Sequence, residues 1–240
     1  MNKDYQQHNL SKFINAIRSL LLKQNFFEHH LYSTLNYKIE NTDTFEIKKD
    51  LYLRYNPEPD IWQVGKMHDK FFWIGSMFRN ENKLDNLHQY EFTVVDVYQS
   101  NGTSQDVATK FIEILKTLEE GLKLPILSNL ELKYISYKEF SETDRENLKG
   151  KYWLSVTDYP TNESFYDSPG REDGTLKFEI FLIDNGNPIE IAACGNLGRN
   201  LNKENYIIGE EQFINEELLK KNFIGFGIGL ERLMGLYNQK

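Results

Sequence analysis

Met77-Phe78-Arg79-Asn80-Glu81, followed after a short polar segment by His88-Gln89-Tyr90-Glu91-Phe92-Thr93, is the stretch from which the fold is read. It belongs to two β-like runs, Lys70 to Phe78 and Tyr90 to Tyr98, both rich in aromatic and β-branched residues. If residues 82–89 form the loop, positions 81 and 90 pair, and Arg79 falls opposite Phe92 on one face of an antiparallel hairpin. A planar guanidinium beside an aromatic face suits a phosphate ester carrying a purine: one grips oxygens bidentately, the other stacks. The plainer alternative is a hairpin with Phe78 and Phe92 in the core and Arg79 on the surface.

Outward from this hairpin the chain reads as alternating strands bracketed by helices. Further β-like runs occupy Asp50 to Tyr55, Tyr152 to Asp158, Leu176 to Asp184 and Pro188 to Ala193. The turn Asp184-Asn185-Gly186-Asn187 closes an antiparallel hairpin rather than a parallel crossover. Phe13, Ile14, Ile17, Leu20 and Leu21 fall on one side of a helix that Ser11 can cap. Val107, Phe111, Ile112, Leu115 and Leu118 repeat likewise between Ser104 and the stop signal Gly121. A glycine-rich segment, Gly225 to Gly229, leads into a last helix from about Leu230 to Tyr237. The expectation is an α+β fold, a largely antiparallel sheet flanked by helices, with residues 1–240 forming a single domain.

In the 176–193 hairpin, pairing 184 with 187 also pairs 181 with 190, which makes Glu179 a same-face diagonal neighbour of Glu190. Diagonal neighbours lie roughly 7–8 Å apart, a gap that a cation bridging carboxylates and phosphate oxygens can fill. A solvated pair of acids on an exposed face is the alternative. The run Gly225-Phe226-Gly227-Ile228-Gly229-Leu230-Glu231-Arg232 places an arginine in the first helical turn after a strand with little side-chain bulk. Such glycines permit close backbone approach by a nucleotide, or tight packing of helix on sheet.

Taken in order, these segments resemble the catalytic core of the class II aminoacyl-tRNA synthetases, in the aspartate, asparagine and lysine subgroup. Residues 77–93 resemble motif 2 and residues 225–232 motif 3. The resemblance implies an enzyme that activates an amino acid, or a related carboxylic acid, with ATP and Mg²⁺ as an acyl-adenylate. Arg79 and Arg232 would be the catalytic cations, with Glu81, His88, Phe92 and Glu190 completing the ATP site. Glu190 and Glu179 would hold the metal. Leu51-Tyr52-Leu53-Arg54 with Pro57-Glu58, and Tyr159-Pro160 with Phe165-Tyr166, resemble segments near the amino-acid pocket. On that basis Glu58 and Asp96 would hold an α-ammonium group and Tyr166 would line the pocket, with Cys194 and Asn196 shaping its floor.

Two departures qualify the resemblance. Motif 1 ordinarily shows glycine then proline at a helix-to-strand junction, whereas Asn25-Phe26-Phe27-Glu28 runs on without proline to Tyr32; the implied homodimer rests on this weaker segment. Seven positions beyond the metal glutamate the aspartate and asparagine enzymes carry an arginine for the substrate side chain, while here that position is Leu197 and Arg199 follows two later. Free aspartate is therefore not the expected substrate.

Composition bounds the rest. With 240 residues, 40% of them apolar, the chain can bury one sizeable core. Its apolar runs are too short for a signal core or a membrane span. One cysteine excludes an internal disulfide, and the five histidines lack zinc-ligand spacing. A cytoplasmic protein is expected. A formal charge of −8 argues against an extended nucleic-acid surface but not against a small ATP site. Because about ten residues precede the core and nothing follows motif 3, the acceptor of the acyl group is expected to be ammonia, an amine, a protein or a carrier. A minimal tRNA-charging enzyme and a binding module without turnover are the alternatives.

Overall fold

The first helix, α1 (Lys3–Lys23), starts well before Ser11, which lies inside it rather than capping it. Its stripe of Phe13, Ile17 and Leu21 is buried, as the helical spacing requires. The computed structural model describes residues 3–36, 44–57, 64–80, 89–159, 177–196, 221 and 223–237. Asn25 ends the helix in the left-handed region, with φ 63°, and the chain turns at once into β1 (Phe27–His29). Asn tolerates that conformation better than most residues, so the junction forms without a glycine or a proline. Arg18 Nε reaches across it to Glu28 at 2.8 Å.

The sheet strands are β1, β5 (Lys70–Phe78), β6 (Glu91–Ser100), β7 (Leu132–Ser136), β8 (Lys151–Thr157), β9 (Lys177–Asp184), β10 (Asn187–Asn196) and β11 (Phe223–Gly229). They form one sheet in the order β1-β5-β6-β11-β10-β9-β8-β7. Its six central strands pair antiparallel throughout. The edges differ, because β1 pairs parallel to β5 and β7 parallel to β8, so the sheet is mixed. Three short strands, β2 (Thr34–Leu35), β3 (Glu46–Lys48) and β4 (Leu51–Leu53), make a separate small sheet.

Helix α2 (Ser104–Leu122) opens on a capping box in which the Thr103 hydroxyl accepts from Asp106 N and the Asp106 carboxylate accepts from Thr103 N. It runs through Gly121 and stops at Lys123, whose φ is 55°. The short helix α3 (Tyr137–Glu142) follows β7, and α4 (Leu230–Tyr237) follows β11 without a break. Helices α1, α2 and α4 bury their apolar stripes on one face of the sheet, where Phe111, Leu115, Leu118, Leu233 and Leu236 meet Phe72, Val95, Val97, Phe178, Ile180 and Ile228. Glu119, buried in this layer, accepts from Leu127 N (2.7 Å), Ser128 N (2.8 Å) and Tyr237 OH (3.1 Å), so its charge is fully hydrogen-bonded and ties α2 to α4.

The opposite face carries two smaller clusters. Trp73, Met77 and Val94 lie at one end of the sheet, and Leu148, Tyr152, Leu154, Val156 and Ile183, packed by α3, at the other. Between them the central strands carry small and polar residues, and the candidate site lies there.

Candidate active site

Strand register lays out the floor. On the face away from the core, Asp96 of β6 pairs with Gly227 of β11, and Gly227 with Ala193 of β10, which in turn pairs with Glu179 of β9. One row along, Tyr98, Gly225, Gly195 and Lys177 pair in the same way. Four small residues, Gly225, Gly227, Ala193 and Gly195, thus form a trough between an aspartate wall and a glutamate wall. The glycines are required by close approach: a Cβ on Gly227 would lie 2.9 Å from Asp96 Oδ1, and one on Gly225 2.3 Å from Tyr98 Cδ1.

Both walls are held by tyrosines. Asp96, 4% exposed, accepts from Tyr98 OH at 3.1 Å. Glu179 accepts from Tyr159 OH at 2.5 Å. Burial, reinforced by the Glu179 carboxylate, pushes the Tyr159 phenol above its ordinary range, so it stays a donor. Tyr159 also leans on Tyr137, with ring centroids 4.6 Å apart.

The cations gather at the end of the trough where β5 and β11 finish. Arg79 N donates to Tyr90 O at 3.0 Å, so Arg79 faces Tyr90 across the hairpin and Phe92 faces Met77. The expected Arg79–Phe92 pairing is therefore corrected by two positions, because β5 ends at Phe78 and β6 begins only at Glu91. The side chain crosses the diagonal nonetheless: the guanidinium lies 5.2 Å from the Phe92 ring and 4.9 Å from the Tyr55 ring. Among the described residues Arg79 Nε is buried without a hydrogen-bond partner. A desolvated guanidinium donor held between two rings is costly unless an anion completes it.

Arg232 in the first turn of α4 donates from Nη1 to Glu190 O at 3.0 Å and lies 3.6 Å from Glu190 Oε2. Beside it, Glu231 accepts from Thr93 N at 2.8 and 3.0 Å. Burial raises the Glu231 carboxyl above its usual range, against the pull of its hydrogen bonds with Thr93.

Glu190 pairs with Phe181 as the turn geometry requires, but the register then shifts by one residue, so that Ala192 pairs with Ile180 and Ala193 with Glu179. Glu190 and Glu179 keep a common face across this bulge. Beyond it the alternation is inverted, which corrects one expectation. Cys194 pairs with Phe178 and Phe226 and is buried with them in the helix-side core, so it is not on the trough floor. Burial first, then Glu179, Glu190 and Asp96, push its thiol well above the ordinary range, as suits an inert filler. Asn196 closes β10 opposite Ile224. Glu58, Glu81, His88, Tyr166, Leu197 and Arg199 lie outside the described residues.

Sequence reasoning assigned no role to Tyr55, Tyr98 or Glu231. Tyr98 was within reach, since it stands two residues from Asp96 in an alternating strand and shares its face. Tyr55 and Glu231 act across elements far apart in sequence and left no local signal.

Three comparisons bear on this arrangement. Residues 4–240 match the family model of class II tRNA synthetases (D, K and N). The chain is 32% identical over 118 residues to a lysine–tRNA ligase of Methanoculleus marisnigri, and 34% identical over 122 residues to a probable cytoplasmic lysine–tRNA ligase of Enterocytozoon bieneusi. These alignments take in 46% and 47% of this chain, and 23% of each relative's length. In structure it is similar to the asparaginyl-tRNA synthetase of Pyrococcus horikoshii, solved with asparaginyl-adenylate, with a TM-score of 0.73 over 96% of this chain and 64% of that one at 19% identity.

Proposed function

We propose that this chain, which belongs to the class II tRNA synthetase family of aspartate, lysine and asparagine enzymes, joins the carboxylate of an amino acid to ATP as an acyl-adenylate and passes the acyl group to an acceptor other than tRNA. The observation that carries the reading is Arg79, clamped between Tyr55 and Phe92 with Nε buried and unpartnered among the described residues. It stands at one end of a trough floored by the small residues Gly225, Gly227, Ala193 and Gly195 and walled further along by carboxylates.

In this reading a carboxylate oxygen of the amino acid attacks the α-phosphorus, the bond to the bridging oxygen breaks, and pyrophosphate leaves. The nucleophile is already ionised, so no general base is needed. Arg79 offers its unsatisfied donor to the α-phosphate as charge develops there. Arg232, fixed against Glu190, faces the departing pyrophosphate. Asp96, a buried carboxylate braced by Tyr98 OH, receives the α-ammonium group. A magnesium ion fits the same end. Glu190, with its side chain 42% exposed, and Glu179 on the same face are hard oxygen donors that would hold it. Bound there, it would neutralise phosphate charge that two arginines alone leave uncompensated.

Labelled pyrophosphate exchange into ATP, run over the common amino acids with purified protein, is the deciding assay. Amino-acid-dependent exchange supports the reading; its absence with every amino acid would leave a binding module.

A further inference from the structure

Strand β11 stays paired to β6 only as far as Gly229 opposite Val94, after which Leu230 enters α4. The next residue of β6, Thr93, therefore loses its neighbour on that side. Its N–H points toward the missing strand, because antiparallel ladders alternate. Arg79 N donates to Tyr90 O and Ser100 N to Asp69 O, which assigns the even positions of β6 to the β5 side. Asn101 N donates to Lys221 O, which assigns the odd positions to the β11 side. Both Glu231 oxygens accept from the Thr93 N–H, at 2.8 and 3.0 Å. A side chain thus takes the place of the strand that has left the sheet.

The two residues so joined each flank a group of the ATP site. Thr93 follows Phe92, one of the rings that clamp Arg79. Glu231 precedes Arg232, whose guanidinium is fixed on Glu190. The Glu231 contact adds a polar tie between the first turn of α4 and the start of β6, beyond the apolar packing of Leu230 and Leu233 on the sheet.

We infer that Glu231 is a positioning residue for adenylate formation, a splint between β6 and α4 that sets Arg232 at a fixed distance from Arg79. The inference rests on the adenylate-forming reading above. Glu231 touches no reacting atom in this scheme, since both of its oxygens are committed to Thr93.

The test is a double-mutant cycle read by pyrophosphate exchange per folded protein, together with ATP affinity by calorimetry. E231A is expected to lower kcat about ten-fold or more, as small misplacements of catalytic groups do, while the KM for the amino acid stays unchanged. Added to R232A, E231A should cost little more, because its effect travels through that arginine. E231Q, which keeps one acceptor oxygen, should recover most of the loss; where E231A does not fold, E231D, whose carboxylate falls one methylene short of Thr93 N, carries the same cycle with the same expected outcomes. A folded E231A with unchanged kcat, or losses that multiply fully in the double variant, would overturn the positioning role. Wild-type protein that neither binds ATP nor exchanges pyrophosphate would instead overturn the reading on which it rests.

Discussion

Arg79 is buried at its Nε, bracketed by two rings and unsatisfied there among the described residues, so its replacement should affect chemistry far more than folding. Arg79→Ala is expected to lower pyrophosphate exchange by roughly 10²-fold or more while leaving the far-ultraviolet circular dichroism unchanged. Arg79→Lys should restore little, since an ammonium cannot reproduce the planar stack. Glu190→Ala leaves the carbonyl that holds Arg232 Nη1 but removes a carboxylate 3.6 Å from that arginine, so the magnesium dependence of exchange, rather than the loss alone, assigns its effect to the metal. Glu179→Ala should be milder, and magnesium titrations of the two variants test the difference. Gly227→Ala forces a methyl to within 2.9 Å of Asp96 Oδ1 and should raise the KM for the amino acid more than that for ATP. The strands that carry or precede Arg79, Asp96 and Glu190 were legible from the sequence, because aromatic and β-branched runs and a hairpin turn mark them, whereas the roles proposed for these residues come from the resemblance. Cys194 was misplaced because a single extra residue in β10 reverses which side chains face the trough, and nothing in Glu190-Ile191-Ala192-Ala193 marks it.

At the scale of elements, the strongly periodic segments were readable and the edges were not. Strands β5, β6, β8, β9 and β10 and the helix α2 follow from apolar spacing, β-branched and aromatic content and turn chemistry. Strands β1 and β7 are short, and their parallel pairing depends on partners distant in sequence, so no local pattern reveals them. The α2 cap offers a direct check on the part that was legible. Thr103→Ala removes the hydroxyl that accepts from Asp106 N and should cost about 1 kcal/mol in urea denaturation, with no change in the constants for exchange. Hydrogen bonds from the Thr103 hydroxyl and backbone N–H hold the Asp106 carboxyl below its ordinary range. A carboxyl lowered on folding contributes stability above its unfolded pKa and loses it as pH falls through the folded one. The gap between wild type and Asp106→Asn should therefore be full at neutral pH and close below the usual carboxylate range.

For the molecule as a whole, the balance of charge sets what can approach the trough. The chain carries 36 acidic against 28 basic residues, and tRNA affinity depends largely on cations that displace counterions from phosphate. The trough adds to this locally: Asp96 and Glu179 wall the part that would hold the amino acid, and Glu190 stands at the phosphate end beside Arg232. An anionic side chain there would face the carboxylates of Asp96 and Glu179. Exchange with aspartate should accordingly be slower than with neutral or cationic amino acids, and lysine and asparagine are the informative comparisons given the named relatives. Strong aspartate preference that collapses in Arg199→Ala would show that the arginine two positions late still reaches the substrate. The same charge balance predicts that purified protein does not acylate tRNA at physiological salt, although adenylate forms. Aminoacylation measured alongside exchange separates the two outcomes. Stable charging that weakens steeply as salt rises would identify a basic surface serving tRNA and replace the non-tRNA acceptor, while exchange without charging would leave an amine, protein or carrier as the acceptor to be sought.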